Sequence, residues 1–188
     1  MPSPTPSLRI HQALDHLLAG GVIACPTEAV WGLSCDPADA QAVARLLQLK
    51  HRPVGKGLIL VASREEQFAG LLEELSPALR GKLALAWPGP TTWLVPHRGL
   101  VPDWIHGDHE TVALRVTAHP PLVALCEAWG GPLVSTSANP AGRRAPTAAF
   151  QVRRYFRGEL DYLLPGPVGG AARPSVIRDL VSDRVLRA

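Results

Sequence analysis

The run Leu58-Ile59-Leu60-Val61-Ala62 sets the strongest constraint on the fold. It is strand-length, continuous and apolar, with no polar alternation to give it a wet face, so it needs cover on both sides. The residues before it indicate what kind of cover. Val43, Leu46 and Leu47 form the inward stripe of a helix running from Asp36-Pro37, read as N-cap and first helical residue, to about Lys50. Pro53 fixes its own φ and biases Arg52 away from the helical region, so Lys50 to Leu58 is a hinge between helix and strand. Helix, hinge and buried strand together argue for a layered α/β domain.

The same signals recur along the chain. Ile10, Ala13, Leu14, Leu17 and Leu18 predict an amphipathic helix between Ser7 and Gly20-Gly21. Gly21 to Cys25 reads as a short buried strand stopped by Pro26, with Thr27-Glu28 emerging beyond it. Helical patterns cover about 64–74 and a segment opened by Ser76-Pro77, which ends before the turn Trp87-Pro88-Gly89-Pro90. Thr91 to Val95 and Thr111 to Val116 read as strands separated by a long loop. His119 to Trp129 is a helix ended by Gly130-Gly131, Leu133-Val134 starts a strand, Thr147 caps a helix to about Arg157, and Leu160 to Leu164 is a strand. Two closing strands, 175–178 and 184–187, follow a loop rich in proline and glycine. Strands that neighbour strands, mixed with helices, predict a single-domain α/β fold with a twisted mixed parallel and antiparallel sheet and flanking helices.

A single domain is also what 188 residues with 46% hydrophobic content support. Residues 1–6 read as a flexible N-terminus and 7–188 as the domain. Cys25, Cys35 and Cys126 have no C-x-x-C spacing and point to neither a zinc site nor a disulfide framework. No apolar stretch approaches membrane-spanning length, and the N-terminus lacks the basic start and apolar core of a signal peptide. A soluble, cytoplasmic protein with no membrane partner is expected.

Charge is unevenly placed. From Ala40 to Arg64 there is no acidic residue and there are five cations, Arg45, Lys50, Arg52, Lys56 and Arg64. The hinge is therefore a candidate anion clamp, a solvated basic turn being the alternative. Gly55-Lys56-Gly57 resembles part of a P-loop but lacks the leading glycine and the following Ser or Thr, and neither G-x-G-x-x-G nor G-x-S-x-G occurs. His106 and His109 with Asp103, Asp108 and Glu110 could be drawn as a metal site, but their loop setting reads as a solvated polar segment. What remains is a series of polar residues at predicted strand ends: Thr27, the Lys50/Arg52/Lys56 cluster, Thr111 with Arg115, Ser135/Ser137/Asn139 and Ser175. Arginine forks, mobile lysine and short hydroxyl donors suit a polyanionic substrate. Singly each has a plainer explanation, Arg115 for instance as a half-buried partner of an acidic neighbour; their recurrence at strand ends favours binding.

Six segments, taken in order, carry a family resemblance. They are Pro26-Thr27-Glu28-Ala29-Val30-Trp31-Gly32-Leu33, Lys50-His51-Arg52-Pro53 with Lys56 and Leu58, Trp87-Pro88-Gly89-Pro90-Thr91-Thr92, Ala113-Leu114-Arg115-Val116, Ser135-Thr136-Ser137-Ala138-Asn139 and Pro174-Ser175-Val176-Ile177-Arg178-Asp179. In order and spacing the chain resembles the YrdC family of threonylcarbamoyl-AMP synthases. The resemblance implies a mixed sheet around a concave basic cavity. It also implies formation of L-threonylcarbamoyladenylate and pyrophosphate from L-threonine, bicarbonate or CO2 and ATP, for the N6-threonylcarbamoyladenosine modification of tRNA.

Carried over by position, Lys50 and Arg52 are the implied catalytic pair and grip the triphosphate, with Lys56 nearby. Thr111, Ser135, Ser137, Asn139 and Arg187 contact ATP; Thr27, Arg115, Ser135 and Ser175 hold threonine, Arg115 pairing its carboxylate. Mg2+ is expected on the phosphates, with no dedicated metal site in the protein. The chain departs from the family in Asn139-Pro140-Ala141-Gly142, with alanine where serine is common. Ending at Ala188, it resembles the short bacterial form, with a more open site that hands its product to the tRNA threonylcarbamoyltransferase complex. Two other classes fit parts of the sequence. A non-catalytic module binding tRNA or double-stranded RNA would use Arg143, Arg144, Arg153, Arg154 and Arg157, which also read as a solvated face. A carbamoyl-adenylate enzyme of hydrogenase maturation would carry this fold within a longer chain.

Overall fold

The computed structural model describes residues 7–187, so the flexible segment expected over residues 1–6 lies outside the described residues. Among those described, nine strands form one sheet: β1 (Ile23–Pro26), β2 (Trp31–Ser34), β3 (Ile59–Ala62), β4 (Thr91–Pro96), β5 (Thr111–Val116), β6 (Leu133–Ser137), β7 (Tyr162–Leu163), β8 (Val176–Asp179) and β9 (Val185–Arg187). Their spatial order is β7-β1-β2-β6-β3-β5-β4-β8-β9. The β1/β7, β3/β5 and β4/β8 pairs are parallel and the others antiparallel. The apolar run read as a central strand is β3, between β5 and β6.

Seven α-helices accompany the sheet among the described residues: α1 (Leu8–Leu18), α2 (Ala40–Lys50), α3 (Ala69–Leu72), α4 (Pro77–Ala86), α5 (Asp103–His106), α6 (Pro120–Trp129) and α7 (Ala149–Phe156). Register pairs share a face, and side chains alternate along each strand. Ile59, Val61, Ala113, Arg115, Leu133 and Ser135 therefore lie on one face, here the front, and Leu60, Leu114 and Val134 on the back. The back is fully covered: Val43 and Leu46 of α2, Leu83 of α4 and Phe156 of α7 pack with Leu33, Leu60, Leu114 and Val134. Among the described residues the front is covered only at one end, where Ile10, Ala13 and Leu17 of α1 and Leu122, Leu125 and Cys126 of α6 meet Ile23, Cys25, Val61 and Leu133.

Several local readings are corrected. The sequence reading has no strand at β2, whose pairing with β1 and β6 makes it one; Thr27 closes the β1–β2 turn with its backbone N–H, 3.0 Å, and its Oγ1, 2.8 Å, both on the Val30 carbonyl. The α2 N-cap is Asp39, whose carboxylate accepts from the Gln41 and Ala42 N–H groups; Asp36 accepts from Ala38 N–H in the preceding turn. Residues 64–74 form a 3-10 turn, Glu65–Phe68, followed by the single turn of α3, because Gln67 turns back to accept from Ser63, and Gly70 within α3 lowers its helix propensity. The loop after β4 contains α5, and α7 is capped at Ala148, where Gln151 Oε1 accepts from the Thr147 and Ala148 N–H groups. No helix among the described residues is long and apolar enough to cross a membrane.

Candidate active site

The uncovered part of the front face is the floor of a cavity of about 400 Å³. Strand periodicity supplies most of it. Thr111, Ala113 and Arg115, spaced i, i+2, i+4 on β5, all line the floor, as do Ser135 and Ser137 of β6. Thr27 enters from the β1–β2 turn, Ser175 from the residue before β8 and Arg187 from β9. Arg52 and Lys56 come from the hinge after α2, which is strapped to α5 by Leu58 N–H to Ile105 O, 2.8 Å, and Asp108 N–H to Gly55 O, 3.1 Å. The crossing leaves no room for side chains: Gly107 has φ 63, and a Cβ there would sit 2.6 Å from the Gly55 oxygen.

Cations dominate the lining. Among the described residues, Arg52, Lys56, Arg115, Arg173 and Arg187 face a single carboxylate, Glu28. That carboxylate is already engaged: Arg115 donates to it at 2.5 Å and Thr117 Oγ1 at 2.6 Å. Burial alone would raise the Glu28 pKa, but Arg115 and the Thr117 hydroxyl hold it below its ordinary value. Arg115, 5% exposed, is thus both paired with an acidic neighbour and part of the cavity floor. The loop after β7 folds over this corner, with Gly169 N–H on Thr27 O and Ala171 N–H on Glu28 O, each 2.9 Å.

Two of the other cations, Arg52 and Arg187, are held by oxygens of the chain. Arg52 donates to Gly57 O at 2.8 Å and Lys56 O at 3.3 Å. Arg187 donates to Ser175 O at 2.7 Å and to its Oγ at 3.2 Å. Burial lowers the pKa of both guanidinium groups, and for Arg187 the nearby charge of Arg115 adds to it. Among the described residues neither meets a carboxylate, so both stand ready for an anionic ligand.

Two residues expected in the site do not line the cavity. Lys50 is 4% exposed and turns its ammonium to the carbonyl oxygens of Ser137 and Asn139; burial, then the charge of Arg52, brings its pKa down to about 8. Asn139 donates its amide to Arg143 O, 2.7 Å, and Pro140 O, 3.2 Å, bracing its own loop. Residues that the sequence reading did not place in the site include Glu28, Arg173, Ala145 and Leu186. The signal for Glu28 was its position beside Thr27; the others arrive only by long-range folding. His106 and His109 also line the cavity, with His106 stacked on His97 at 3.8 Å between ring centroids. No group of three or more His, Cys, Asp or Glu among the described residues could hold a metal ion. The three cysteines are free and buried, and burial pushes Cys25 up to about 11 and Cys35 up to about 12. Arg143, Arg144, Arg153, Arg154 and Arg157 are exposed and outside the cavity.

A family model described as telomere recombination, Sua5/YciO/YrdC, matches residues 15–188. The chain is 56% identical over 182 residues to the threonylcarbamoyl-AMP synthase of Pseudomonas savastanoi pv. phaseolicola, covering 97% of this chain and 98% of that protein. It is 57% identical over 179 residues to the threonylcarbamoyl-AMP synthase of Stutzerimonas stutzeri, covering 95% and 96%. Among solved structures, P. abyssi Sua5 complexed with L-threonine matches with a TM-score of 0.86 and 32% identity, over 94% of this chain and 52% of that one. E. coli YciO matches in fold with a TM-score of 0.84 and 24% identity, over 98% and 90%.

Proposed function

The chain belongs to the Sua5/YciO/YrdC family, and we propose that it is a threonylcarbamoyl-AMP synthase, making L-threonylcarbamoyladenylate and pyrophosphate from L-threonine, bicarbonate or CO2 and ATP for the N6-threonylcarbamoyladenosine modification of tRNA. The observation that carries this reading is the wall on which five cations share one carboxylate, itself neutralised by Arg115. The reaction requires such a wall. The threonine amine, once unprotonated, forms an N–C bond to CO2, one C=O π bond opening and the nitrogen giving its extra proton to water; a carbamate oxygen then attacks the α-phosphorus of ATP, and pyrophosphate leaves. Two anions must approach each other, and fixed cations lower that barrier by positioning and charge stabilisation without a covalent protein intermediate.

In this reading Arg52 and Lys56 hold the phosphates, and Thr111, Ser135, Ser137 and Arg187 contact the nucleotide. Arg115 receives the threonine carboxylate, with Thr27 and Ser175 beside it and Ser135 between the two ligands. Mg2+ enters as part of the substrate, on the phosphate oxygens of ATP. The enzyme works in the cytoplasm and passes its labile product to the tRNA threonylcarbamoyltransferase complex. Pyrophosphate release from ATP, with threonine and bicarbonate omitted in turn, tests the reading. Release is expected only when all three substrates are present; release without threonine, or none at all, refutes it.

A further inference from the structure

Lys50 poses a physical problem. An ammonium removed from water without a carboxylate partner is costly, and an apolar side chain of the same length would pack at the end of α2 for less. The groups it meets supply the reason. Two of its three N–H donors go to main-chain oxygens, Ser137 O and Asn139 O, the latter at 2.9 Å. A third tie runs the other way, from Ala141 N–H to Lys50 O at 2.8 Å. One residue of α2 thus gathers the whole segment by which the chain leaves β6.

The backbone then turns away. His51 adopts a left-handed conformation, φ 50, after which Arg52 comes to the cavity side and lines it. Two cations spaced i, i+2 are thereby split, one behind the wall and one in it.

We infer that Lys50 is a positioning residue, which clamps the 137–141 segment and so fixes the cavity-facing Ser137, leaving phosphate contact to Arg52 and Lys56. The inference rests on the proposed reading of the cavity as a nucleotide site. It separates two ways in which a cation can matter. A residue touching phosphate contributes more as phosphates are added, whereas one that sets the frame for the nucleoside end affects every nucleotide by the same factor.

Titration calorimetry with AMP, ADP and ATP on wild type, Lys50→Met and Arg52→Met distinguishes them. Lys50→Met is expected to weaken all three nucleotides by a similar factor, on the order of tenfold, and Arg52→Met to weaken ATP far more than AMP. A Lys50→Met loss that steepens from AMP to ATP overturns the inference. Wild type offers a check that needs no folded variant, because the chain has three lysines, Lys50, Lys56 and Lys82. Under brief reductive methylation Lys56 and Lys82 should label, ATP should protect Lys56, and Lys50 should stay unlabelled in both conditions. Lys50 that labels in the free protein and is protected by ATP overturns the inference as well. Wild type that binds none of the three nucleotides is a different failure: it removes the functional reading and this role with it.

Discussion

Replacing Glu28 by alanine tests the corner of the site where fold and ligand share one charge. The Glu28–Arg115 contact is 2.5 Å, with the arginine side chain 7% and the glutamate 19% exposed. Water screens a pair this buried poorly, and the remaining guanidinium is left on the cavity floor without its carboxylate. Removing one member of such a pair costs about 3–5 kcal/mol, and the Thr117 hydroxyl, deprived of its 2.6 Å acceptor, adds about 1 kcal/mol. That is a large share of the roughly 5–15 kcal/mol by which a domain is stable. Urea unfolding at neutral pH reads it directly. Glu28→Gln keeps shape and an acceptor for Thr117 while removing charge, so it should lose less. Saturating threonine adds the second half of the test: if Arg115 receives the substrate carboxylate, the ligand restores the missing charge, and Glu28→Ala should gain more stability from threonine than wild type does. A loss below about 1 kcal/mol, as a screened surface pair would give, refutes the burial argument. Equal gains from threonine in the two proteins refute the role of Arg115.

Acid should erase part of the same difference. The Glu28 carboxyl is held below its ordinary 4.5, so its stabilisation is complete above that pH and is lost as pH falls towards the lowered value; the stability gap between wild type and Glu28→Gln should narrow in that window. Arg52→Ala should cut pyrophosphate release by about 10²–10³-fold with an unchanged circular dichroism spectrum, and full turnover would remove the hinge from the mechanism. Gly107→Ala, forced to φ 63 with its Cβ 2.6 Å from Gly55 O, should lose more than the ~1–2 kcal/mol of a left-handed alanine in urea unfolding, and should raise the KM for ATP by moving the hinge. Serine lacks one methyl of threonine, worth ~1–3 kcal/mol, so its kcat/KM should fall about 10–200-fold rather than vanish.

The elements read from sequence are those whose signal is local. The apolar run 58–62 identifies the buried β3, and the i, i+2, i+4 spacing of Thr111, Ala113 and Arg115 already places them on one face of β5. Helix stripes did the same for α1, α2 and α6. The β2 strand has no such signal, being four residues with glycine and tryptophan that become a strand because β1 and β6 pair with them. Helix starts also escaped where two acids compete, and Asp39 rather than Asp36 caps α2 because only its carboxylate reaches the first free N–H groups.

Which polar residues end in the site follows the same division. Residue type and order alone determine that this chain carries cations and hydroxyls at strand ends, a set suited to anions. Tertiary structure decided that α1 and α6 leave part of the front face bare, that Glu28 is consumed by Arg115, and that Lys50 turns inward while Arg52 turns out. Periodicity specifies which side chains share a face. Whether that face is then covered by a helix, paired with a distant carboxylate or left open depends on contacts between residues far apart in the chain, such as Lys50 with Ser137, and no local pattern encodes those.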